Sequence, residues 1–544
     1  MGYSILNRDA KLYTVRNLAL ATGAAIVALL LVGPFFVARD GDVIPVTHDM
    51  HQHLSVLQQV DAAVRTGALW PRWQPEFNKE YGLPWLNYYP PGYYWAAELF
   101  YLVTGDLFDT VFLLNLLLML ACAAATYKFA REFFSPVASA GATAFYMIAP
   151  YHTLDLYWRG ALPELSGFFF VPAILFCAWR AGNGRGLRWI AGLAFLHGAY
   201  LMTHIPVAYL LTLTLGIYAV AWAVMARSPR IAMRILGGVA WALIASSAYW
   251  LVASLERKHI RDAFAEYYAY HAHYIALAPG DIFDQLLNLS FMAMVAALAA
   301  GWLASGAQTD VQKRLFRAFA AGTVFMITPY AIYVSKLIPN ISIVSFPWRW
   351  MVIATLFIAL LLAMGIENVL RTPRVSAVIL AAALLFNVVT TVRLIVKAFE
   401  NGDQGTPLSY IESGWVPGRA GDPLLLPDAA PQAHLIPEGV VEVVKWEPLR
   451  RELRVTASTA SVLHVRTYRF RGWTARVNGR LVDLGLDAHG GQTLALPPGS
   501  HQVVITYEDP RTRVALAWVS AIAFLAALAT MVVSGRVALA TRQS

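Results

Sequence analysis

"LALATGAAIVALLLVGPFFVARDGDVIPVTHDMHQHL", Leu18 to Leu54, is the stretch on which the fold turns. Its first part, about 18–37, is an apolar run long enough to cross roughly 30 Å of hydrocarbon. No small-x-small cleavage site follows it cleanly, so it reads as a retained helix rather than a removed leader. The second part packs His48, Asp49, His51 and His53 into six positions. If the run spans a membrane, this cluster stands where the chain leaves the lipid.

The remaining sequence repeats the first part many times. The 544 residues are 58% hydrophobic and 14% charged, with mean hydropathy +0.52; soluble domains carry about 25% charged residues. The unbroken apolar runs lack the two-residue alternation of a membrane β-barrel. They predict an α-helical polytopic membrane protein with about twelve transmembrane helices, near 17–38, 106–127, 136–150, 163–180, 189–203, 206–226, 233–253, 286–305, 317–337, 348–370, 375–396 and 513–534. Cys122 and Cys177 both lie inside apolar runs, so they read as small core residues, with no disulfide framework or Cys-based metal site. The net charge of +9 is spread over short inter-helix loops, where it sets topology and does not suggest nucleic acid.

The N-terminus, 128–135, 180–188, 227–234, 306–317, 371–374 and the tail after Ser534 together hold about 18 Lys and Arg against about 3 Asp and Glu. That bias marks them as cytoplasmic, and an even helix count puts both termini on that side. The opposite side receives a long first loop (39–105), four shorter segments and a region at 397–512. Each chemically rich cluster falls there: the His48–His53 group, "YWRGALPEL", "THIP", "LERKHIRD" and "SFPWRW". In "LMTHIP", Pro206 breaks the helical ladder and His204 is costly in lipid, which points to a cavity. The expected division is 1–396 transmembrane, 397–512 an outer β-sandwich, and 513–544 an anchor with a cytoplasmic tail. In the β region "LHVRTYRF", "WTARVNGRLVDL" and "HQVVITYED" alternate with period two, and Asn478-Gly479 signals a hairpin turn.

The first outer loop continues as "WPRWQPEFNKEYGLPWLNYYPPGYY", Trp70 to Tyr94. Its prolines impose a rigid, non-helical path. Aromatic faces on such a path, Trp73, Tyr88 and Tyr89 among them, suit sugar faces or an isoprenoid chain. An interfacial aromatic belt is the plainer reading.

This motif, followed in order by "YWRGALPEL", "LMTHIP" and "SFPWRW" and by the C-terminal "RFRGWTARVNGRLVDL", resembles a family of bacterial membrane proteins. They are described as 6-pyruvoyl-tetrahydropterin synthase-related and include YfhO-like proteins; the family in turn looks like GT-C glycosyltransferases. The resemblance implies a bacterial cytoplasmic (inner) membrane enzyme acting on the periplasmic face, with a polyprenyl-phosphate sugar, such as an undecaprenyl-phosphate sugar, as donor. A glycan, lipid or cell-envelope polymer would be the acceptor. It implies Asp49, just after the first helix, as general base. Asp is also a favoured helix N-cap, so Asp49 could cap the helix beginning at Met50. The donor phosphate needs cations: Arg349, Arg159, Arg257, Lys258 and His259 are the candidates. An ion pair between Arg159 and Glu164 is the plainer alternative. His48, His51, His53, Glu164 and His204 are candidate substrate contacts. Asp49, His51 and His53 could instead ligate a divalent cation such as Mg or Mn.

Two rival functions remain open at this level: a transporter or flippase of a lipid-linked glycan, and a non-catalytic glycan-binding scaffold. The absence of a phosphate loop argues against ATP-driven transport. The one-sidedness of the polar clusters and the lack of an inverted repeat argue modestly against a two-sided path.

Overall fold

The computed structural model describes residues 19–34, 43–44, 47–77, 80–256, 270–278, 280–370, 375–400, 406–407, 431–437, 439–488, 490–509 and 511–543. Among them seven helical stretches are long and apolar enough to cross a membrane: Leu107–Ala130, Leu162–Gly182, Ile205–Met225, Ile282–Ser305, Pro347–Val369, Val375–Glu400 and Arg511–Arg536. Two more pass only as bent pairs: Pro229–Ala245 with Ser247–Ser254, at 75°, and Val311–Phe325 with Pro329–Ser335, at 98°. Pro329 has no N–H to continue the helical ladder. At the other bend the Ser246 hydroxyl donates back to the Ala242 carbonyl at 2.8 Å.

Of the about twelve expected spans, seven to nine pass by length and composition among the described residues. Each expected region contains helix, but Ala19–Pro34, Pro136–Ile148 and Leu187–Leu201 are short. The 13 residues of Pro136–Ile148 rise only about 20 Å, against roughly 30 Å of hydrocarbon. Pro150 interrupts one run, and the Met202–His204 turn interrupts another before Ile205–Met225 begins.

Pro347–Val369 runs through the middle of the bundle. Every residue from Met351 to Gly365 is buried, and Thr355 is the one polar side chain among them, as expected of a helix that is apolar nearly all round. Val375–Glu400 and Arg511–Gln543 lie outside it and expose Leu385, Val389, Trp518 and Ile522. The first loop carries the expected helix, Met50–Arg65, and also two not anticipated, Trp85–Tyr88 and Gly92–Thr104.

The C-terminal strands form two antiparallel sheets around one core. One contains Ala433–Ile436, Ser461–Tyr468, Gly491–Leu496 and Gly485–Leu486; the other contains Gly439–Glu447, Arg450–Ala457, Gly499–Tyr507, Trp473–Val477 and Arg480–Val482. Period-two alternation buries Leu453, Val455, Leu463, Val465, Val503 and Ile505 between them. The hairpin from Trp473–Val477 to Arg480–Val482 turns through Asn478 and Gly479 at φ of 50° and 82°. Two successive positive φ values are what a two-residue hairpin turn asks of the backbone, and Asn-Gly tolerates them.

One side chain in that core comes from far away. Trp73 of the first loop is 1% exposed. Its ring lies edge-on to Trp473 (centroids 5.3 Å apart) and beside Tyr507 and Phe470. The expectation that Trp73 contacts substrate is therefore corrected: its apolar area is spent on packing.

Candidate active site

The site is built where helices break. After Pro136–Ile148 the chain passes through a short helix, Pro150–Leu154, and a single π-helical turn, Asp155–Arg159. Gly160 follows at φ 61°. A Cβ there would meet Thr47 Oγ1 at 2.5 Å and the Met50 backbone nitrogen at 2.8 Å. The missing side chain lets the chain near Asp49 dock directly. His48 N donates to the Trp158 carbonyl at 3.1 Å, and Asp49 N to the Arg159 carbonyl at 2.8 Å. Two motifs more than a hundred residues apart are thus joined backbone to backbone.

Behind this junction lies a buried ionic cluster centred on Glu164. Glu164 Oε1 accepts from the Tyr151 hydroxyl at 2.7 Å and pairs with Arg159 Nη1 at 2.8 Å. Its Oε2 accepts from Arg349 Nε at 2.9 Å, and His204 Nε2 lies 3.8 Å away. Arg159 also donates to Asp155 Oδ1 at 2.6 Å. Arg349 sits on the turn Pro347–Trp350 and donates to the Val344 carbonyl at 2.6 Å. Burial, together with the charge of Glu164, pushes the Asp155 carboxyl well above the usual carboxylate range. The charge of Asp49 acts on Asp155, Arg159 and Tyr89, placing it in the same field.

Several buried polar atoms here have no hydrogen-bond partner among the described residues: Asp155 Oδ2, His204 Nδ1 and His53 Nε2. Buried polar atoms are nearly always paired, so such a group points to a place kept for a ligand or water. His53 is 3% exposed, with its Nδ1 2.8 Å from the Tyr94 hydroxyl. Burial lowers its pKa to about 4, so the ring is neutral at pH 7.

Asp49 precedes Met50–Arg65 but makes no side-chain capping bond, so the capping alternative is not what the structure shows. Asp49 is half-buried. His48 is exposed, its ring 4.6 Å from Phe283, and His51 is half-buried. The divalent-cation alternative finds no support: His53 turns its ring to Tyr94, and among the described residues no three His, Cys, Asp or Glu side chains are grouped to hold a metal ion.

Of the residues singled out from sequence, Asp49, His53, Tyr89, Arg159, Glu164, His204 and Arg349 share one neighbourhood. Trp73 does not, and Tyr88 leans on Phe470 of the sheet region. Arg257, Lys258 and His259 lie outside the described residues. Tyr94, Tyr151 and Asp155 were missed. Asp155 stands four residues before Arg159, a spacing at which opposite charges meet on a helix, and that signal was available.

The fold and this cluster define a polytopic membrane protein with a buried polar site at one end of its helices. The chain belongs to the family described as "6-pyruvoyl-tetrahydropterin synthase related domain; membrane protein", which matches it over residues 86–398, more than half its length. No curated protein matches it. Among solved structures it is similar to the apo oligosaccharyltransferase of Archaeoglobus fulgidus (TM-score 0.43, 11% identity), over 71% of this chain and 56% of that one. It thus spans little more than half of that enzyme. It is also similar to ArnT from Cupriavidus metallidurans, solved bound to undecaprenyl phosphate (TM-score 0.43, 14% identity), over 74% of this chain and 75% of that one.

Proposed function

We propose that the protein is a membrane glycosyltransferase that moves a sugar from a polyprenyl-phosphate-linked donor to an acceptor outside the cytoplasm. The observation that carries this reading is the placement of Asp49. Its carboxylate is half-buried and unused in capping, and its backbone is pinned to Arg159 beside a cluster rich in unpartnered polar atoms. That is what a general base needs: a fixed position and free lone pairs.

The acceptor oxygen loses its proton to Asp49 as it bonds to the anomeric carbon. The bond from that carbon to the phosphate oxygen breaks, and polyprenyl phosphate leaves with the electron pair. A single displacement inverts the anomeric configuration. Arg349 is the cation that faces the leaving phosphate: its side chain is 13% exposed against 4% for Arg159. Arg159, held between Asp155 and Glu164, orients the cluster. In this reading the active face is periplasmic, the bilayer is the inner membrane, and both termini are cytoplasmic, as the charge bias suggests.

The test is incubation of the purified protein in nanodiscs with a panel of polyprenyl-phosphate-linked sugars, with and without EDTA. Release of polyprenyl phosphate from one donor, indifferent to EDTA, is expected. No release from any donor, combined with passage of a labelled lipid-linked glycan across vesicles, would replace this reading with a flippase.

A further inference from the structure

We propose that the C-terminal sheet region is a positioning element for the site: it holds the first loop so that Tyr89 and Tyr94 wall in His53. Three separate contacts fix the loop. Trp73 is sunk in the core between the sheets. Gly82, at φ 80°, passes under its indole, where a Cβ would lie 2.1 Å from Trp73 Nε1. The chain between them closes on itself, with Gln74 and Leu83 exchanging backbone hydrogen bonds of 2.9 Å. Next, Tyr468 N donates to the Tyr81 carbonyl at 2.8 Å, and Arg466 pairs with Glu80.

The third contact lies nearest the site. Asn87, 2% exposed, donates from Nδ2 to the Tyr507 hydroxyl at 2.9 Å and accepts at Oδ1 from Arg513 Nη1 at 3.0 Å. Arg513 also pairs with Asp509 at 3.0 Å, and Asp509 with Arg72 at 3.3 Å. Loop, last strand and last membrane helix therefore meet in one network.

Asn87 belongs to the short helix Trp85–Tyr88, whose first residue stacks on Tyr89 at 5.4 Å and 15°. Tyr89 in turn lies 5.7 Å from the His53 ring and 6.1 Å from Tyr94. The aromatic wall beside the site thus rests on a latch two residues away. Loops are ordinarily the mobile part of a fold. This one is held at Trp73 and Asn87 by buried contacts, and removing Asn87 would take a hydrogen bond from both Tyr507 and Arg513. Asn87 and Trp73 are positioning residues on this reading, acting through Tyr89.

The experiment uses the full-length protein in nanodiscs at pH 7, with Asn87→Ala, Trp73→Ala and Trp73→Phe. Two readouts are followed by mass spectrometry: hydrogen exchange along the chain, and carbethoxylation of His53 by diethyl pyrocarbonate. Asn87→Ala is expected to leave strands 461–468 and 499–507 as protected as in the unsubstituted protein. It should raise exchange over 80–89 and speed His53 modification about tenfold, the effect of losing one buried hydrogen-bonded latch. Trp73→Ala should do the same, and Trp73→Phe should largely restore protection. If Trp73→Ala unfolds the sheets, Asn87→Ala alone decides. Unchanged modification of His53 in a folded Asn87→Ala protein overturns the proposal. Neither readout needs a sugar substrate, so failure of the transferase reading leaves this test intact.

Discussion

Among the described residues two carboxylates each hold two guanidiniums, in opposite surroundings. Glu164 is fully buried, receives Arg159, Arg349 and Tyr151, and sits among chain breaks with unpartnered polar atoms around it. Asp509 is 30% exposed and bridges Arg72 and Arg513 where loop, sheet and last helix meet. Beside it Asn87 has both ends of its amide engaged. The second network exists to hold things together. The first gathers its members from separate helix breaks beside Asp49 and leaves a carboxylate oxygen, Asp155 Oδ2, and an imidazole nitrogen, His204 Nδ1, without a partner among the described residues, groups that a ligand can engage.

The contrast can be broken most sharply at Glu164. Glu164→Ala leaves two buried cations without their shared counter-charge. Loss of one partner of a buried pair costs roughly 3–5 kcal/mol, so the thermal unfolding midpoint in nanodiscs should fall steeply, with poor recovery of folded protein. A midpoint equal to that of the unsubstituted protein would mean that water already reaches the cluster.

Acid should act next most strongly, through His53. Its pKa is about 4 in the folded protein, lowered first by burial, against about 6.5 in an unfolded chain. The folded state favours the neutral ring. The associated stability is complete above about pH 6.5 and is lost as pH falls toward 4, amounting to about 3 kcal/mol. His48 and His51 are also lowered by burial and add in the same direction. Unfolding midpoints measured from pH 7.5 to 4 should therefore decline, and a His53→Gln protein should decline less. An identical slope would place the acid sensitivity elsewhere.

Asp509→Asn should matter less than either. Asp509 is partly solvated, so its two pairs are screened and a cost of about 1 kcal/mol is expected. A loss as large as that of Glu164→Ala would show that the joint, not the site, carries the stability.

What was legible in the sequence follows the same division. Polar groups in a membrane protein are costly unless they cluster, so "YWRGALPEL", "THIP" and "SFPWRW" could be expected to converge, and they do around Glu164. The alternation of the strands and the Asn478-Gly479 turn were equally plain. The fate of Trp73 was not legible, because an aromatic on a proline-rich path looks the same whether it awaits a sugar or fills a core. The helix Gly92–Thr104 was hidden by the "YYPP" before it, whose second proline, Pro91, occupies the N-cap position. The lengths of the shorter helices were not legible either, because apolar composition alone does not show where a ladder stops.

Asp49 gives the smallest expected change in stability and the most informative one. A carboxylate that capped its helix would take about 1 kcal/mol with it when removed. Asp49 makes no such bond, and what fixes it is its backbone N–H on the Arg159 carbonyl, which a substitution leaves in place. Asp49→Asn keeps the shape and removes the charge. The unfolding midpoint should stay within the range of a neutral surface change, about 0.5 kcal/mol. Polyprenyl phosphate should still bind, because Arg349, the cation proposed to face it, remains, while sugar transfer should fall by at least about a hundredfold, the usual scale for a lost general base. Transfer at the original rate would remove Asp49 from the chemistry and turn attention to Asp155, whose free Oδ2 is the other carboxylate oxygen of the cluster without a partner among the described residues. A large drop in stability instead would move Asp49 across the divide, from the site to the joint.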